Sequence, residues 1–363
     1  MNKKHAIFAL ATLFILGGCG AVEPTPEPQP EEETPAQEEI VVDNSYLDNL
    51  TSEELMMFPD LKIEVNQRLC IDNFAREIEG SKITVRDPSI AKYEGEYLVG
   101  LKVGKTYLAM EANNKCQKVN VEVFAEGTLK RAFNFSDMQK GQKIVSFGDS
   151  VTANATINAD LTYVRRIADA YGLRLVNNYA IGGTTATYMF PGSNIEKEYY
   201  NLDYAIDGVR VVKKAYDNGE LNDIDYAFIA YGHNDHYFQP QITADGDDQF
   251  DINSFASAYS FKGSYRYMIN LLRLANPNIK IIILNCTYSE YMVDGGSYGN
   301  VYKYEDYRKA QYDIADEMDV KIVDPWNYLK TIFDGTTRKI NYKDVVHLTV
   351  KGHEKLGTYL KKY

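Results

Sequence analysis

The sequence predicts an α/β protein: a three-layer domain with a parallel sheet over residues 143–363, preceded by a small all-β domain over residues 57–125. Two patterns support this prediction. After residue 143, nearly continuous apolar runs alternate with amphipathic segments of helical length, which is typical of parallel strands covered on both faces. Before residue 125, short segments alternate apolar and polar residues, and Gly or Asn separates them.

The first residues have the pattern of an export signal. Residues 1–4 are basic, and the apolar run over residues 6–16 is shorter than the roughly 20 residues that a membrane-spanning helix needs. Leu16-Gly17-Gly18-Cys19 resembles the bacterial lipoprotein box. This resemblance implies that residues 1–18 are removed and that Cys19 carries lipid. A signal peptide cut elsewhere and a retained membrane anchor are the two alternatives.

Residues 19–50 are predicted to form a disordered tether. Within them, residues 23–39 consist of Pro, Glu, Gln, Thr and Ala, which offer no large apolar side chain for a core. The net charge of the chain is -12, which argues against nucleic acid as a partner and against charge-driven binding to anionic lipid. We expect the protein at the bacterial cell surface, in contact with the membrane only through its N-terminal lipid.

The remaining cysteines divide into two kinds. Cys286 follows the apolar run 281–285 and is predicted to be a buried, inert thiol. Cys70 and Cys116 lie in the β-rich segment, and an exported chain permits a disulfide between them, so pairing and free thiols are both open. The sequence has no CxxC or HExxH spacing, so no metal site is predicted.

The segment before residue 125 has candidate strands at 61–65, 82–85, 97–99, 106–108 and 119–123. Their spacing indicates a small β-sandwich. The stretch Asp87-Pro88-Ser89-Ile90-Ala91 and residues 99–106 resemble bacterial immunoglobulin-like domains. This resemblance implies a spacer, with contact to carbohydrate as the alternative.

The segment after residue 143 has candidate strands at 143–147, 173–176, 226–230, 279–284 and 320–323, with a candidate helix at 163–171. In open α/β sheets, ligands bind at the carboxyl ends of the strands. The residues that directly follow these strands are therefore the candidates for a functional site.

Three strand ends carry residues that suit ester chemistry. Gly148-Asp149-Ser150 follows the first strand, where a small residue allows a tight turn and a hydroxyl can face a cleft. Gly183 follows the second strand and lets backbone N–H groups approach a ligand closely. Asn234 follows the third strand and offers an uncharged N–H donor, and both kinds of donor suit a developing oxyanion. Taken singly, each of these signals also fits an ordinary turn or loop.

A carboxylate and an imidazole stand three residues apart near the C-terminus. Asp344 and His347 precede a helix-like segment, residues 351–360. This spacing across a turn can place the carboxylate against one imidazole nitrogen and leave the other nitrogen facing a serine. That is the geometry of a general base.

Four segments then resemble, in order and approximate spacing, the signature of SGNH (GDSL-like) hydrolases: Gly148-Asp149-Ser150, Gly183, Gly232-x-Asn234-Asp235 and Asp344-x-x-His347. The resemblance covers residues 143–363. It implies a flavodoxin-like three-layer sandwich, hydrolysis of acyl esters through an acyl-serine intermediate, and no metal or organic cofactor. The absence of a GxSxG elbow argues against the ordinary α/β-hydrolase family.

The resemblance also implies roles for individual residues. Ser150 would be the nucleophile, His347 the general base and Asp344 the residue that orients His347. The backbone N–H groups of Ser150 and Gly183 and the side chain of Asn234 would form the oxyanion hole. We further expect substrate contacts from three neighbouring side chains, Asp149, His233 and Tyr237. His233 departs from the family pattern, which usually has a small residue between Gly232 and Asn234.

Three functions remain open at this stage. Tyrosines in loops 237–250 and 288–304 suit stacking on sugar rings, which favours an esterase that releases acetyl groups from a carbohydrate. Tyrosine is common throughout this chain, so ordinary surface and core usage is the alternative. A lipid, aryl or thioester hydrolase of the same fold is the second function. An inactive surface-binding protein is the third, and the intact Ser150, Asp344 and His347 argue against it.

Overall fold

The computed structural model of the protein describes residues 43–75, 78, 80–153, 161–188, 207–290 and 301–363. The predicted signal, most of the tether and the lipid site at Cys19 lie outside the described residues. The predicted disorder is wrong for the end of the tether, because Ser45–Asn49 form a 3-10 helix whose Leu47 is buried against Ala109 and Cys116. Within the described residues, no helix is both long enough and apolar enough to cross a membrane.

Residues 61–124 form two small β-sheets. Their strands are β1 (Leu61–Glu64), β2 (Arg68–Cys70), β3 (Lys82–Val85), β4 (Ala91–Glu94), β5 (Tyr97–Gly100), β6 (Gly104–Ala112) and β7 (Lys115–Phe124). One sheet has the order β1-β7-β6-β3, with β1 parallel to β7, and the other is the antiparallel sheet β2-β5-β4. Alternate side chains of these strands, among them Ile63, Leu98 and Val121, pack into one apolar cluster. The likeness to immunoglobulin-like domains stays a prediction.

Residues 143–323 supply a parallel five-stranded sheet. Its strands are β8 (Lys143–Gly148), β9 (Arg174–Asn178), β10 (Tyr226–Ala230), β11 (Lys280–Leu284) and β12 (Lys321–Val323). Their order is β12-β11-β10-β8-β9, and every pairing is parallel. The chain moves from β8 to one neighbour, β9, and then crosses to the other side of β8. This reversal of strand order is where open α/β sheets form their ligand crevice.

Helices lie along both faces of this sheet. In chain order the helices are α1 (Asp72–Ala75), α2 (Ser150–Ala153), α3 (Tyr163–Tyr171), α4 (Gly208–Asp217), α5 (His233–Phe238), α6 (Phe261–Ala275), α7 (Tyr304–Glu317), α8 (Trp326–Asp334), α9 (Arg338–Asn341) and α10 (Val350–Leu360). Phe228 of β10 packs against Tyr163 of α3. Tyr231, on the opposite face by the alternation of the strand, lies against Gly208 of α4. All residues of β10 are buried, as its continuous apolar sequence predicts.

The boundaries of several elements agree with the sequence pattern, and others do not. Strand β10 and helix α3 have the predicted bounds, whereas β9 begins and ends later than the predicted 173–176. Only Leu175 and Val176 of β9 are apolar and three of its residues are polar, because it is the edge strand of the sheet. An edge strand does not need the continuous apolar run by which the central strands are recognised.

Cys70 and Cys116 do not form a disulfide: both thiols are free, which was the second of the two alternatives. Cys70 ends β2 and packs into the large core around the parallel sheet. Cys116 lies in β7 and packs with Leu47 and Ala109 in a separate apolar cluster. The two side chains therefore face different cores and cannot approach to bonding distance. Cys286 is buried as predicted, and burial raises the pKa of its thiol.

The β-rich segment and the parallel sheet form one compact unit, residues 42–363. Two buried asparagines join them: the Asn327 backbone N–H donates to Asn73 Oδ1 at 2.8 Å, and Asn327 Nδ2 donates to the Asn73 carbonyl at 2.7 Å. Ile322 of β12 and Tyr312 of α7 also pack against the apolar cluster of the β-rich segment. The two segments are therefore packed as one body.

We predict that Asn73→Ala lowers the free energy of unfolding by about 1–3 kcal/mol, because the buried Asn327 N–H loses its acceptor. Urea unfolding of the variant and the wild type measures this difference. The matched control is Asn120→Ala, which removes an exposed asparagine bonded to Asp60. Equal effects of the two substitutions would contradict the inference that the Asn73 contact holds the segments together.

Candidate active site

Ser150 lies at the carboxyl end of β8, at the start of the short helix α2. The turn requires a glycine at position 148. A Cβ there would come within 2.7 Å of Thr152 and 2.8 Å of the Ala230 carbonyl on the neighbouring strand β10. This close approach of the two strands fixes the turn that carries Ser150 at the carboxyl end of the sheet, where Ser150 is half-buried.

Ser150, His347 and Asp344 form a continuous hydrogen-bonded chain. His347 Nε2 lies 2.9 Å from Ser150 Oγ, and His347 Nδ1 lies 2.8 Å from Asp344 Oδ2. Because a carboxylate can only accept, it fixes the proton of His347 on Nδ1. Nε2 is then the acceptor for the Ser150 hydroxyl. This arrangement lets the imidazole take the serine proton.

Asp344 is held as an anion by the turn that carries it. Partial burial by itself raises the pKa of the carboxyl. The backbone N–H groups of His347 and Val346 donate to Oδ1 at 2.7 and 2.8 Å, and together with the His347 ring they bring the pKa below its usual value. The buried Leu348 anchors the end of this turn in the core. The spacing of three residues between Asp344 and His347 thus corresponds to one turn, which the bonds to Asp344 Oδ1 close.

The loop that contains Gly183 and the helix that contains Asn234 lie against each other. Gly183 has a φ of 80°, a left-handed conformation that favours glycine. Asn234 Nδ2 donates to the Thr184 carbonyl at 2.8 Å. An amide carries two N–H donors, so this bond sets the direction of the second one.

Asp235 orders the same loop, and sequence reasoning did not assign it this role. Its fully buried carboxylate accepts from the backbone N–H groups of Ala186 and Thr187 at 2.8 and 3.0 Å and from the Thr187 hydroxyl at 2.7 Å. Burial raises the pKa of Asp235 to about 6, although these bonds act in the opposite direction. Its place beside Asn234 in the Gly232-x-Asn234-Asp235 segment was the one available signal.

The three predicted substrate contacts have different environments. Asp149 is only 3% exposed and its Oδ1 accepts from the Val151 N–H at 3.0 Å, so a contact with substrate does not fit this side chain. Burial raises the pKa of Asp149 to about 7. His233 is half-buried, and burial lowers its pKa to about 3, so its ring is neutral. Tyr237 is 37% exposed.

The predicted aromatic surface is smaller than expected. Tyr288 and Tyr304 are buried and pack around Trp326, with the Tyr304 hydroxyl bonded to the Thr287 carbonyl. These two rings belong to the core and cannot stack on a sugar. Tyr291 and Tyr298 lie outside the described residues.

Comparison with known proteins gives a family match. The sequence model of the GDSL-like Lipase/Acylhydrolase family matches residues 146–355, which include Ser150, Asp344 and His347. Among solved structures, a protein from Lactobacillus plantarum is 15% identical, with 61% of this chain and 96% of that chain covered and a TM-score of 0.42.

Two further solved structures are similar at the same level. A candidate GDSL-like lipase from Bacteroides ovatus is 14% identical over 62% of this chain and 98% of its own, with a TM-score of 0.41. TesA is 17% identical over 61% of this chain and 97% of its own, with a TM-score of 0.40. No curated protein matches this chain.

We predict that the free energy of unfolding falls less with rising pH in Asp149→Asn than in the wild type. The native carboxyl holds its proton up to about pH 7, whereas the unfolded chain releases it near 3.9. The contribution of Asp149 is therefore fully present below about pH 4 and is lost as pH rises to about 7. Asparagine keeps the acceptor for Val151 and carries no charge. At pH 7.5 the free energy of unfolding of the variant should therefore exceed that of the wild type by a few kcal/mol. This follows from about 1.4 kcal/mol for each unit by which the native pKa is raised.

Urea unfolding at pH 4.5, 6 and 7.5 measures this difference. The exposed Asp169 supplies the matched control, Asp169→Asn. A difference between Asp149→Asn and wild type that is the same at all three pH values would show that Asp149 does not keep its proton in the native state.

Proposed function

Because the chain belongs to the GDSL-like lipase/acylhydrolase family, we propose that it is a cell-surface serine esterase that removes acetyl groups from an O-acetylated carbohydrate. The observation that carries the esterase assignment is the hydrogen-bonded chain from Asp344 through His347 to Ser150. The carbohydrate and the cell surface are supported by the sequence and by one exposed aromatic side chain.

In the first half of the reaction, Ser150 Oγ attacks the ester carbonyl carbon while His347 Nε2 takes the hydroxyl proton. Asp344 stabilises the imidazolium that forms, because its carboxylate already bonds Nδ1–H. The tetrahedral intermediate collapses with loss of the alcohol, which receives the proton from His347. The acyl group is then bound to Ser150 as an ester.

In the second half, His347 takes a proton from water and the hydroxide attacks the acyl carbon. Collapse of this second intermediate releases the carboxylic acid and returns the proton to Ser150 Oγ. In both halves the negative oxygen would be bound by the Ser150 and Gly183 backbone N–H groups and by Asn234 Nδ2. Each such donor contributes about 3–4 kcal/mol to the transition state. The bonds of Asn234 to Thr184 and of Asp235 to Thr187 support this assignment because they order these donors in advance.

The proposed carbohydrate rests on Tyr237, which lies on the same short helix as Asn234 and presents an exposed aromatic ring. Aromatic faces suit the apolar side of a sugar ring. An enzyme anchored outside the cell would also meet acetylated polysaccharide or cell-wall glycan. The β-rich segment, if immunoglobulin-like, would serve this enzyme as a spacer.

A lipid, aryl or thioester hydrolase is the second candidate, and one observation favours it. Val345 lies inside the Asp344 to His347 turn and is 36% exposed. An exposed apolar side chain beside the site would suit a long acyl chain or an aryl group.

We predict that the protein releases acetate from acetylated xylan, pectin or peptidoglycan, and that Ser150→Ala lowers the rate by at least a thousandfold because the nucleophile is lost. Acetate release by the two proteins over this substrate panel measures the effect. A series of aryl esters of rising acyl length separates the two candidates. A preference for acyl chains of eight or more carbons would assign the enzyme to lipid-like esters instead.

Labelling by a serine-directed phosphonate is the control for activity itself. Wild-type protein should be labelled, and Ser150→Ala should not. Folded wild-type protein that takes no label would support the third reading, an inactive binding protein. Asp149→Asn, which keeps Ser150, should still take the label.

We predict that Cys19→Ala prevents lipid attachment, because Cys19 supplies the proposed acylated thiol. Growth with a labelled fatty acid and partition between detergent and water measure attachment, and Cys116→Ala is the control that keeps Cys19. Incorporation of label into Cys19→Ala protein would contradict the anchor. Several acyl chains on one residue give stable membrane attachment at about 0.8 kcal/mol for each buried methylene.

A further inference from the structure

A small cavity lies directly behind the Ser150 turn. Its volume is about 10 Å³, and the residues that line it include Asp149, Tyr231, His233, Asn285 and Thr287. This volume is enough for about one water molecule. The cavity joins the carboxyl ends of β10 and β11 to the residues on either side of Ser150.

Three residues that line this cavity have a buried polar atom without a hydrogen-bond partner among the described residues: Asn285 Oδ1, His233 Nδ1 and Tyr231 Oη. The end of the Tyr231 ring lies against Gly208 of α4, whereas Asn285 Oδ1 and His233 Nδ1 belong to side chains at the carboxyl ends of β11 and β10. The orientation of Asn285 is fixed because its Nδ2 donates to the Arg308 carbonyl at 3.1 Å, which only the nitrogen can do. Asn285 is fully buried. Leaving both atoms unpaired would cost about 1–3 kcal/mol for each of them.

One water molecule between Asn285 Oδ1 and His233 Nδ1 would satisfy both atoms. Asn285 Oδ1 can only accept, so a water between the two residues must donate one hydrogen to it. Its other hydrogen is then available to His233 Nδ1. The Asp149 carboxyl, which lines the same cavity and keeps its proton in slightly acidic solution, can donate to the water oxygen. The water then has three partners, which is the usual number for a buried water.

We propose that this cavity binds one water molecule, which donates to Asn285 Oδ1 and His233 Nδ1 and thereby holds the neutral His233 as its Nε2–H tautomer. Asn285 is a positioning residue in this arrangement, because it acts on His233 through the water. A neutral imidazole carries one proton, so an accepting Nδ1 makes Nε2 a donor.

The Nε2–H group would serve the bound ester. Nδ1 is buried while the residue as a whole is half-buried, so the exposed part of His233 lies elsewhere on the residue. His233 also directly precedes Asn234 and interacts electrostatically with His347 and Asp344. We assign Nε2–H as a donor to an oxygen of the substrate. This contact rests on the proposed esterase function, whereas the water and the tautomer do not.

The tautomer is tested without turnover. Protein labelled with ¹⁵N at histidine is studied by long-range ¹H–¹⁵N correlation at pH 6, and His233 is assigned by its loss in His233→Gln. The expected spectrum is that of an Nε2–H imidazole. An Nδ1–H imidazole in the wild type overturns the proposal, whatever the activity of the protein. A high-resolution crystal structure at the same pH should show one water within hydrogen-bond distance of Asn285 Oδ1 and His233 Nδ1.

Asn285→Leu removes the acceptor that holds the water and should lower the share of the Nε2–H form of His233, with no water in the cavity. Thr287→Val changes the same wall but keeps Asn285, and should leave the Nε2–H signal in place. A spectrum that Asn285→Leu does not alter also overturns the proposal. If Asn285→Leu fails to fold, the wild-type spectrum and the crystal structure still decide.

Kinetics test the contact with substrate. His233→Leu should lower kcat/KM by about tenfold, which is the loss of one hydrogen bond of about 1.4 kcal/mol. His233→Gln places an amide N–H donor at the same position and should recover most of that loss. Equal losses in both variants would remove the assigned substrate contact and leave the tautomer measurement standing.

Discussion

The carboxyl ends of β8 and β10 approach so closely at Gly148 that the Ala230 carbonyl would lie 2.8 Å from any Cβ added there. Every part of the site depends on this approach. Ser150 follows one strand and Asn234 follows the other, so the distance between the proposed nucleophile and the proposed amide donor is set by backbone pairing. His347, nearly 200 residues further along the chain, lies within hydrogen-bond distance of Ser150 at this end of the sheet. The reversal of strand order at β8 is what creates this crevice.

The pKa values of three carboxyl groups near this crevice are shifted in different directions by their surroundings. Asp149 and Asp235 are buried, and burial raises the pKa of each of them. Asp344 is more exposed and receives two backbone N–H groups and an imidazole, so its pKa is lowered. Of these three carboxyl groups, only that of Asp344 is therefore stabilised as an anion. It lies beside the His347 ring, which would become positively charged during the proposed reaction. Residue type alone does not distinguish these roles, because environment decides them.

The parallel sheet and the four site segments could be predicted from sequence because both leave local signals. A central strand such as β10 must be apolar throughout, and a strand end must carry the residues that face the crevice. Contacts between distant side chains leave no such signal. The separate cores of Cys70 and Cys116, the inward position of Asp149 and the burial of Tyr304 each depend on how elements pack. Asp235 shows both cases. Its motif is recognisable in the sequence, but its three hydrogen bonds to a loop 49 residues away are not predictable from it.

The packing of the β-rich segment against β12 has a consequence for how this protein can be divided. Residues 143–363 contain every residue of the site, and by sequence they look like an independent domain. Yet β12 is the outer strand of its sheet, and Ile322 and Tyr312 rest on apolar side chains of the β-rich segment. A shortened chain that begins at residue 143 would expose this apolar surface beside an unpaired strand edge. Exposed edges of that kind pair with other chains. We therefore expect such a shortened chain to self-associate, and the residues of the candidate site alone do not define the part of the chain that packs as one body.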